Sequence, residues 1–234
     1  MAEPSIRDNL LAVRARLVAA ARAAGRDPSS VRLIAVSKTF PLDAVRAAAA
    51  AGQQDFGENR VQEGLQKIQA AAELTIRWHL IGHLQTNKAR KAAPAFACIQ
   101  SVDSVELLHR LDEAADAAGT RPEVLVQVDL AGEATKFGAP PDAARQIVAA
   151  AQSCRALRLV GLMLLPPWME DPELARPYFA RLRVFRDGLA RDANPASLQE
   201  LSMGMSHDFE VAVQEGATMV RIGTAIFGRR TPHV

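Results

Sequence analysis

Apolar residues fall into eight short runs along this chain, separated by longer segments with helical spacing. Segments such as LDAVRAAAAAG (42–52) and VELLHRLDEAADAAG (105–119) repeat apolar residues every three or four positions, and stretch 5–24 predicts a further helix before the first run. Short buried strands that alternate with amphipathic helices indicate a parallel sheet covered by helices. The predicted strands are VRLIAVS (31–37), QQDFG (53–57), RWHLIG (77–82), FACIQSV (96–102), EVLVQVDL (123–130), LRLVGLMLL (157–165), SLQELSMG (197–204) and TMVRIG (218–223).

Eight such repeats favour a closed (β/α)8 TIM barrel, with an extra N-terminal helix, over an open doubly wound sheet. The chain has 234 residues, which is within the range of one such barrel. Because no long linker or change of composition interrupts the repeats, we expect residues 1–234 to form a single α/β domain.

Composition and charge exclude several classes of partner. A formal net charge of +2 gives no field that would favour nucleic acid or an anionic membrane. The first 25 residues are interrupted by charges, and no apolar run approaches membrane-spanning length, so we expect a soluble cytoplasmic protein. Cys98 and Cys154 lie far apart without ligand spacing, and we expect two buried thiols.

Lys38 stands out among the residues at the predicted strand ends, where TIM barrels gather their functional groups. It directly follows a strand that is apolar on both faces. Burial disfavours an ammonium group, lowers its pKa and makes the amine nucleophilic. The alternative is a strand-end lysine whose amine reaches solvent, and position alone does not decide between the two.

The last two strands predict a phosphate site. MGMS (203–206) and RIGTAIFG (221–228) place small residues and hydroxyls where the loops after strands seven and eight meet a helix start. Gly223 would let the backbone approach an anion, and Thr224 would add a hydroxyl. These residues could also simply build turns. A phosphate site opposite a reactive amine is, however, the combination that pyridoxal 5′-phosphate (PLP) requires.

Arg221 adds a prediction about the electronics of such a site. A PLP enzyme that uses the cofactor as a full electron sink places a carboxylate at the pyridine nitrogen, whereas an arginine would leave that nitrogen unprotonated. Carbanion stabilisation would then be weak. The alternative is an arginine that pairs with a carboxylate of a neighbouring strand, such as Asp129.

Six ordered motifs resemble the pyridoxal phosphate homeostasis protein family, which is similar to the barrel domain of bacterial alanine racemase standing alone. The resemblance runs from about residue 5 to residue 228. It implies a cofactor carrier and regulator of PLP supply, often a monomer, with PLP-dependent apoenzymes as candidate recipients. The motifs are AVSKTFP (35–41), FGENRVQE (56–63), WHLIGHLQTNK (78–88), GEATKFG (132–138), GLMLLPP (161–167) and LSMGMSHDFEVAVQEGATMVRIGTAIFG (201–228).

The resemblance also implies roles for individual residues. Lys38 would hold PLP as a Schiff base, and Arg221 would face the pyridine nitrogen. Lys136 matches a family lysine that could serve in cofactor transfer. The phosphate would be held by Ser206, Gly223 and Thr224, and Asn59 and Met203 would lie beside the cofactor.

Two residues depart from the family pattern. Asp129 stands where the family usually has asparagine, and this carboxylate could pair with Arg221 or Lys136. His207 follows the phosphate-site serine, where a small or acidic residue is more usual. His207 and His83 are weak candidates for site-lining residues. No metal site is expected, because HLIGH (79–83) lacks the glutamate of the HExxH zinc motif.

Two enzymatic alternatives stay open. A PLP-dependent amino-acid racemase needs an acid/base on each face of the α-carbon. In alanine racemase a tyrosine from the second domain supplies one of them, and here the one tyrosine, Tyr178, lies on a predicted helix as an expected packing residue. The second alternative is a barrel enzyme that acts on phosphorylated sugars and uses Lys38 as an aldolase-type nucleophile.

Overall fold

A computed structural model describes residues 5–132, 137–192 and 198–228. The chain begins with helix α1 and then alternates strands and helices around one sheet. The elements are α1 (Ile6–Ala23), β1 (Arg32–Val36), α2 (Leu42–Ala50), β2 (Asp55–Glu58), α3 (Val61–Ala70), β3 (Arg77–Leu80), α4 (Ala89–Ala92), β4 (Cys98–Val102), α5 (Val105–Ala118), β5 (Glu123–Val128), α6 (Pro141–Ala151), β6 (Arg158–Leu164), α7 (Arg176–Asp192), β7 (Glu200–Ser202), α8 (Phe209–Gln214), β8 (Met219–Ile222) and α9 (Thr224–Phe227).

The eight strands pair in sequence order, all parallel, and β8 closes the barrel onto β1. This confirms the predicted TIM barrel. Seven of the predicted strand segments contain their whole strand, and β2 (Asp55–Glu58) extends one residue beyond its predicted segment, 53–57. The seventh strand is shorter than its predicted segment, 197–204, because β7 pairs with β6 only over Glu200–Ser202 and with β8 only at Ser202. Among the described residues, none of the helices combines the length and apolarity needed to cross a membrane.

Two apolar clusters hold the barrel together. The larger cluster lies between the strands and the surrounding helices, whereas the smaller one fills the barrel interior. Side chains alternate between the two faces of a strand. Every second residue counted from an interior residue of β1 or β8 therefore also points into the barrel. The interior cluster is Ile34, Cys98, Leu125, Val160, Met163 and Met219.

Helix α1 is the predicted addition to the barrel, and its boundaries have clear causes. Ser5 caps its first turn by accepting a hydrogen bond from the Asp8 N–H, and Asp8 accepts one from the Ser5 N–H in return. Its buried face packs on α8 and α9. Asn9 donates to the Ile226 carbonyl oxygen at 2.9 Å, which ties α1 to the helix that follows β8.

Candidate functional site

Lys38 follows β1 at the carboxyl end of the barrel. Ile34 belongs to the interior cluster, so the alternation of the strand places Val36 on the same inward face, and Lys38 lies in the turn two residues after it. Register places Arg221 of β8 level with Ile34. Lys38 lies four residues after Ile34 in the chain, which is at most about 13 Å for an extended backbone. Because both side chains are long, Lys38 and Arg221 can contact a molecule lying between them, and Lys38 itself is half-buried.

The backbone after Lys38 turns sharply. The Phe40 N–H donates to the Ser37 carbonyl oxygen at 3.1 Å, and Thr39 has φ +67°, a left-handed conformation that costs a residue other than glycine roughly 1–2 kcal/mol. Glu63 of α3 offsets part of that cost, because its Oε1 accepts the Thr39 N–H at 2.6 Å. The turn that carries Lys38 is therefore held in place by its hydrogen bond to Glu63 of α3.

Lys67 of α3 is the centre of a buried cluster beneath this turn. Its Nζ donates to the Ser37 carbonyl oxygen at 2.7 Å, to Glu58 Oε1 at 2.8 Å and to Glu63 Oε1 at 2.9 Å. Ser37 Oγ also donates to Glu58 Oε1, at 2.6 Å. We name Ser37, Glu58, Glu63 and Lys67 the turn cluster. It joins the end of β1 to the end of β2 and to α3.

The two carboxylates of the turn cluster have opposite pKa shifts. Burial raises the pKa of Glu58, and the hydrogen bonds from Lys67 and Ser37 only partly oppose it. The other oxygen of Glu58, Oε2, is buried without a hydrogen-bond partner among the described residues. Burial also acts to raise the pKa of Glu63, but the bonds from Lys67 and the Thr39 N–H outweigh it, and that pKa is lowered.

Arg221 lies within the barrel and is only 3% exposed. Its Nη1 donates to Ser202 Oγ at 2.6 Å, and its Nη2 donates to the Leu164 carbonyl oxygen at 2.8 Å. Burial lowers the pKa of Arg221 to about 10, while the charge of Asp208 opposes the shift. The guanidinium therefore stays protonated at neutral pH. Among the described residues its hydrogen bonds do not involve Asp129, so the alternative pairing with that carboxylate is wrong.

Donors for an anion converge after β8. The N–H groups of Gly223 and Ala225 point at Ser206 Oγ, at 3.2 and 3.4 Å. Thr224 lies between them with an exposed side chain. A Cβ on Gly223 would lie 3.4 Å from the Val36 carbonyl oxygen, so this backbone packs directly against β1, two residues before Lys38. We name Ser206, Gly223, Thr224 and Ala225 the anion cradle.

The two other predicted cofactor neighbours differ in placement. Asn59 is half-buried after β2, and Gly82 packs so closely that a Cβ there would overlap the Asn59 backbone oxygen. The Met203 side chain is fully buried in the larger apolar cluster, outside the barrel interior. A contact from Met203 to a molecule at the mouth would therefore come from its backbone.

The departures from the family pattern have local roles. Asp129 Oδ1 accepts the N–H groups of Ala131 and Gly132 at 2.9 and 3.0 Å, which fixes the start of the loop after β5. Lys136 lies outside the described residues. His207 makes a 2.8 Å hydrogen bond to the Glu170 carbonyl oxygen.

The remaining side chains at the rim are also placed by neighbouring loops. The ring of His207 stacks with Trp168, with centroids 6.2 Å apart. His83 stacks on Phe137 at 3.7 Å and contacts Asp103 at 3.3 Å. Within the described ranges no group of three or more histidine, cysteine, aspartate or glutamate side chains is arranged to hold a metal ion.

The donor set fits PLP. The cradle presents neutral N–H and hydroxyl groups, which suit a phosphate. A lysine follows the adjoining strand β1, and a buried guanidinium lies on β8. Sequence reasoning missed Lys67 and Glu63 as supports of the site. Their spacing of four residues on a helix is the available signal, but that spacing is typical of surface ion pairs.

Comparison with known proteins gives matches over nearly the whole chain. The family described as "Alanine racemase, N-terminal domain" matches residues 9–231. The Pyridoxal phosphate homeostasis protein of Aquifex aeolicus (strain VF5) is 42% identical over 223 residues, 95% of this chain and 97% of that relative. The protein of the same name from Pseudomonas aeruginosa is 46% identical over 226 residues, 97% of this chain and 96% of its own.

Solved structures with similar folds include a relative of this chain and a more distant enzyme. PipY of Synechococcus elongatus PCC7942, solved with PLP bound, superposes with a TM-score of 0.86 at 40% identity, covering 96% of this chain and all of that one (100%). Alanine racemase of Clostridium difficile 630 superposes with a TM-score of 0.72 at 15% identity. That match covers 98% of this chain and 57% of the racemase, and it shows a shared fold alone.

Proposed function

This chain belongs to the alanine racemase N-terminal domain family, and from that premise we propose that it holds PLP covalently on Lys38 and serves PLP homeostasis. The observation that carries the proposal is that the cradle lies next to the turn that carries Lys38: Gly223 packs on Val36, and Lys38 follows two residues later. Bound PLP supplies an aldehyde that condenses with an amine and a ring that withdraws electrons. Relatives named as homeostasis proteins and PipY with PLP bound support the assignment.

Each residue of the site has a proposed role. The Lys38 amine forms the Schiff base. The N–H groups of Gly223 and Ala225, together with the hydroxyls of Ser206 and Thr224, bind the phosphate. Asn59 and the Met203 backbone line the ring. Lys136 is proposed to assist cofactor transfer, on the family resemblance alone.

Arg221 favours a protein that holds the cofactor rather than an enzyme that uses it to convert a substrate. A charged guanidinium facing the ring nitrogen keeps that nitrogen unprotonated, and this weakens carbanion stabilisation. The polar partners of Arg221, Ser202 Oγ and the Leu164 carbonyl oxygen, are neutral acceptors that leave its positive charge in place. Tyr178 packs against the larger apolar cluster on α7, as predicted, and Arg181 lies over its ring at 5.9 Å.

Borohydride labelling tests covalent attachment. We expect a yellow protein after incubation with PLP, and reduction should fix the cofactor on the peptide that contains Lys38. Lys38→Ala should abolish the label while the barrel stays folded. Lys91→Ala, which removes an exposed lysine of α4, is the matched control. A colourless wild type, or a label that maps elsewhere, would refute the proposal and return the aldolase-type alternative.

Two further assays separate a carrier from a racemase. Chiral chromatography after incubation with L-amino acids should show no D-isomer above the level of a Lys38→Ala sample. Mixing the loaded protein with a PLP-dependent apoenzyme should restore that enzyme's activity. Arg221→Glu should shift the visible absorption, because a carboxylate at that position would stabilise the ring nitrogen in its protonated form, with the proton taken from solvent. An unchanged spectrum would mean that Arg221 does not face the ring.

A further inference from the structure

A continuous line of polar side chains crosses the apolar interior of the barrel and ends at Arg221. It joins strands β2, β3, β4, β7 and β8. Gln100, His79 and Ser202 are completely buried, and the Asp55 side chain is 17% exposed. The contacts are Arg221 Nη1 to Ser202 Oγ at 2.6 Å, Ser202 Oγ to Gln100 Oε1 at 2.6 Å, Gln100 Nε2 to His79 Nδ1 at 3.1 Å, and His79 Nε2 to Asp55 Oδ1 at 2.8 Å.

The chemistry of the two ends fixes the direction of every hydrogen bond between them. The Asp55 carboxylate can only accept, so His79 Nε2 carries a proton. Burial lowers the pKa of His79, and this outweighs the hydrogen bond and charge of Asp55, so the ring is neutral and its Nδ1 accepts. The charges of Arg77 and Arg32 act in the same direction as burial.

The remaining two links follow from that tautomer. Because Nδ1 accepts, the amide nitrogen of Gln100 must face His79, and the amide oxygen must face Ser202. The Ser202 hydroxyl therefore donates to Gln100 and keeps a lone pair for Arg221. Every proton in the line points from Arg221 toward Asp55, and bonds aligned in this way polarise one another.

This arrangement separates the guanidinium from the carboxylate at the far end of the line. A carboxylate bound directly to Arg221 would neutralise its field, whereas Asp55 lies four hydrogen bonds away. Asp208 also faces Arg221, but its Oδ1 accepts the Met205 N–H at 2.6 Å. The line and the Leu164 carbonyl oxygen each engage one terminal nitrogen of Arg221, so the plane of the guanidinium is fixed at two points.

We propose that Ser202, Gln100 and His79 are positioning residues for Arg221, forming a one-way hydrogen-bond chain to Asp55 that fixes the guanidinium and sets its effect on the cofactor ring. The inference rests on the proposed function, since it takes Arg221 to face bound PLP. None of the three residues needs to contact the cofactor. Their effect is expected in the protonation of the ring nitrogen, a property that a merely structural residue would not change.

The test uses Gln100→Leu and Ser202→Ala, with Ser101→Ala as the matched control. Ser101 is the neighbour of Gln100 on β4, and its Oγ is buried without a hydrogen-bond partner among the described residues. With PLP labelled with nitrogen-15 in the ring, NMR measures the pH midpoint of ring protonation. We expect that midpoint to rise by about half a pH unit or more in both variants, because a released Arg221 opposes protonation less. PLP binding should weaken about tenfold.

The possible outcomes distinguish failure of the positioning role from failure of the proposed PLP binding. If wild type binds PLP and the midpoint in the variants equals that of Ser101→Ala, the chain does not position Arg221. If Gln100→Leu does not fold, Ser202→Ala decides, because it removes a single hydroxyl. If wild type takes up no PLP, the proposed function fails, and long-range proton–nitrogen NMR of the unliganded protein tests the chain alone. A proton on His79 Nε2 is expected there, and a proton on Nδ1 would overturn the inference.

Discussion

Replacing Lys67 by methionine removes the centre of the turn cluster while keeping a long apolar side chain. Lys67 is 8% exposed and donates three hydrogen bonds, two to carboxylates and one to the Ser37 carbonyl oxygen. Methionine fills much of the same volume but satisfies none of these acceptors. The variant therefore isolates the electrostatic contribution from the packing contribution.

The cost of this change follows from the burial of Glu58. Removing one partner of a buried ion pair leaves an uncompensated charge and typically costs 3–5 kcal/mol, and we take about 3 kcal/mol because Glu58 can be protonated instead. Glu58 is completely buried, and its Oε2 already lacks a hydrogen-bond partner among the described residues. For a chain of this size the loss corresponds to a fall in Tm of about 6–12 °C.

The same variant has a signed pH dependence. Burial already raises the pKa of Glu58 in the folded state, and Lys67 opposes that rise. Without Lys67 the folded pKa rises further above the unfolded value. Between those two values the folded state binds more protons than the unfolded state, so the free energy of unfolding falls as pH rises through the window. The loss in Lys67→Met should therefore be larger at pH 8 than at pH 5.

Urea unfolding at both pH values, followed by circular dichroism, measures this prediction. Lys91→Met is the control, because that lysine is exposed on α4 and should change the free energy of unfolding by less than about 0.5 kcal/mol. A loss in Lys67→Met no larger than that of the control would show that the cluster does not stabilise the fold. A larger loss at pH 5 than at pH 8 would refute the reasoning about Glu58.

Three other predictions concern parts of the fold around the site. Gly204→Ala should cost at least about 2 kcal/mol in urea unfolding, because Gly204 has φ +91° and a Cβ there would lie 2.6 Å from the Ala212 Cβ; native stability would contradict this. Burial raises the pKa of both thiols, that of Cys154 to about 11, so Cys98 should react with a thiol reagent at pH 8 only after unfolding. Asp112→Ala should cost about 2 kcal/mol, since that carboxylate accepts three consecutive backbone N–H groups before β6 at 2.8–3.1 Å; an unchanged thermal transition would refute it.

Hydrophobic pattern alone was enough to predict the barrel. A strand buried on both faces appears as a continuous apolar run, and LRLVGLMLL (157–165) contains β6 (Arg158–Leu164) almost to the residue. The seventh strand shows the limit of this signal. The length of β7 is set by its register with β6 and β8, and those contacts come from residues far away in the sequence.

The residues proposed to contact PLP were easier to single out from the sequence than the residues that hold them in place. Lys38 and Arg221 could be found because strand ends in a barrel share one face. The partners of Lys67 lie up to 30 positions away in sequence. The link from Ser202 to Gln100 spans 102 positions. Side chains at such separations meet only through strand order and register, and a single sequence carries no local pattern for them.

The two ends of the proposed cofactor site have separate supports, and this makes their contributions separable by experiment. The turn cluster lies between the strands and α3 and fixes the Lys38 turn, whereas the hydrogen-bond chain runs inside the barrel and fixes Arg221. The two networks share no residue, and changes at sites without shared partners usually add. Lys67→Met should therefore slow covalent attachment at Lys38 without moving the midpoint of ring-nitrogen protonation, and Gln100→Leu should do the reverse. If Lys67→Met moved that midpoint as far as Gln100→Leu does, the two supports would act as one unit, and the assignment of separate roles to Lys38 and Arg221 would have to be abandoned.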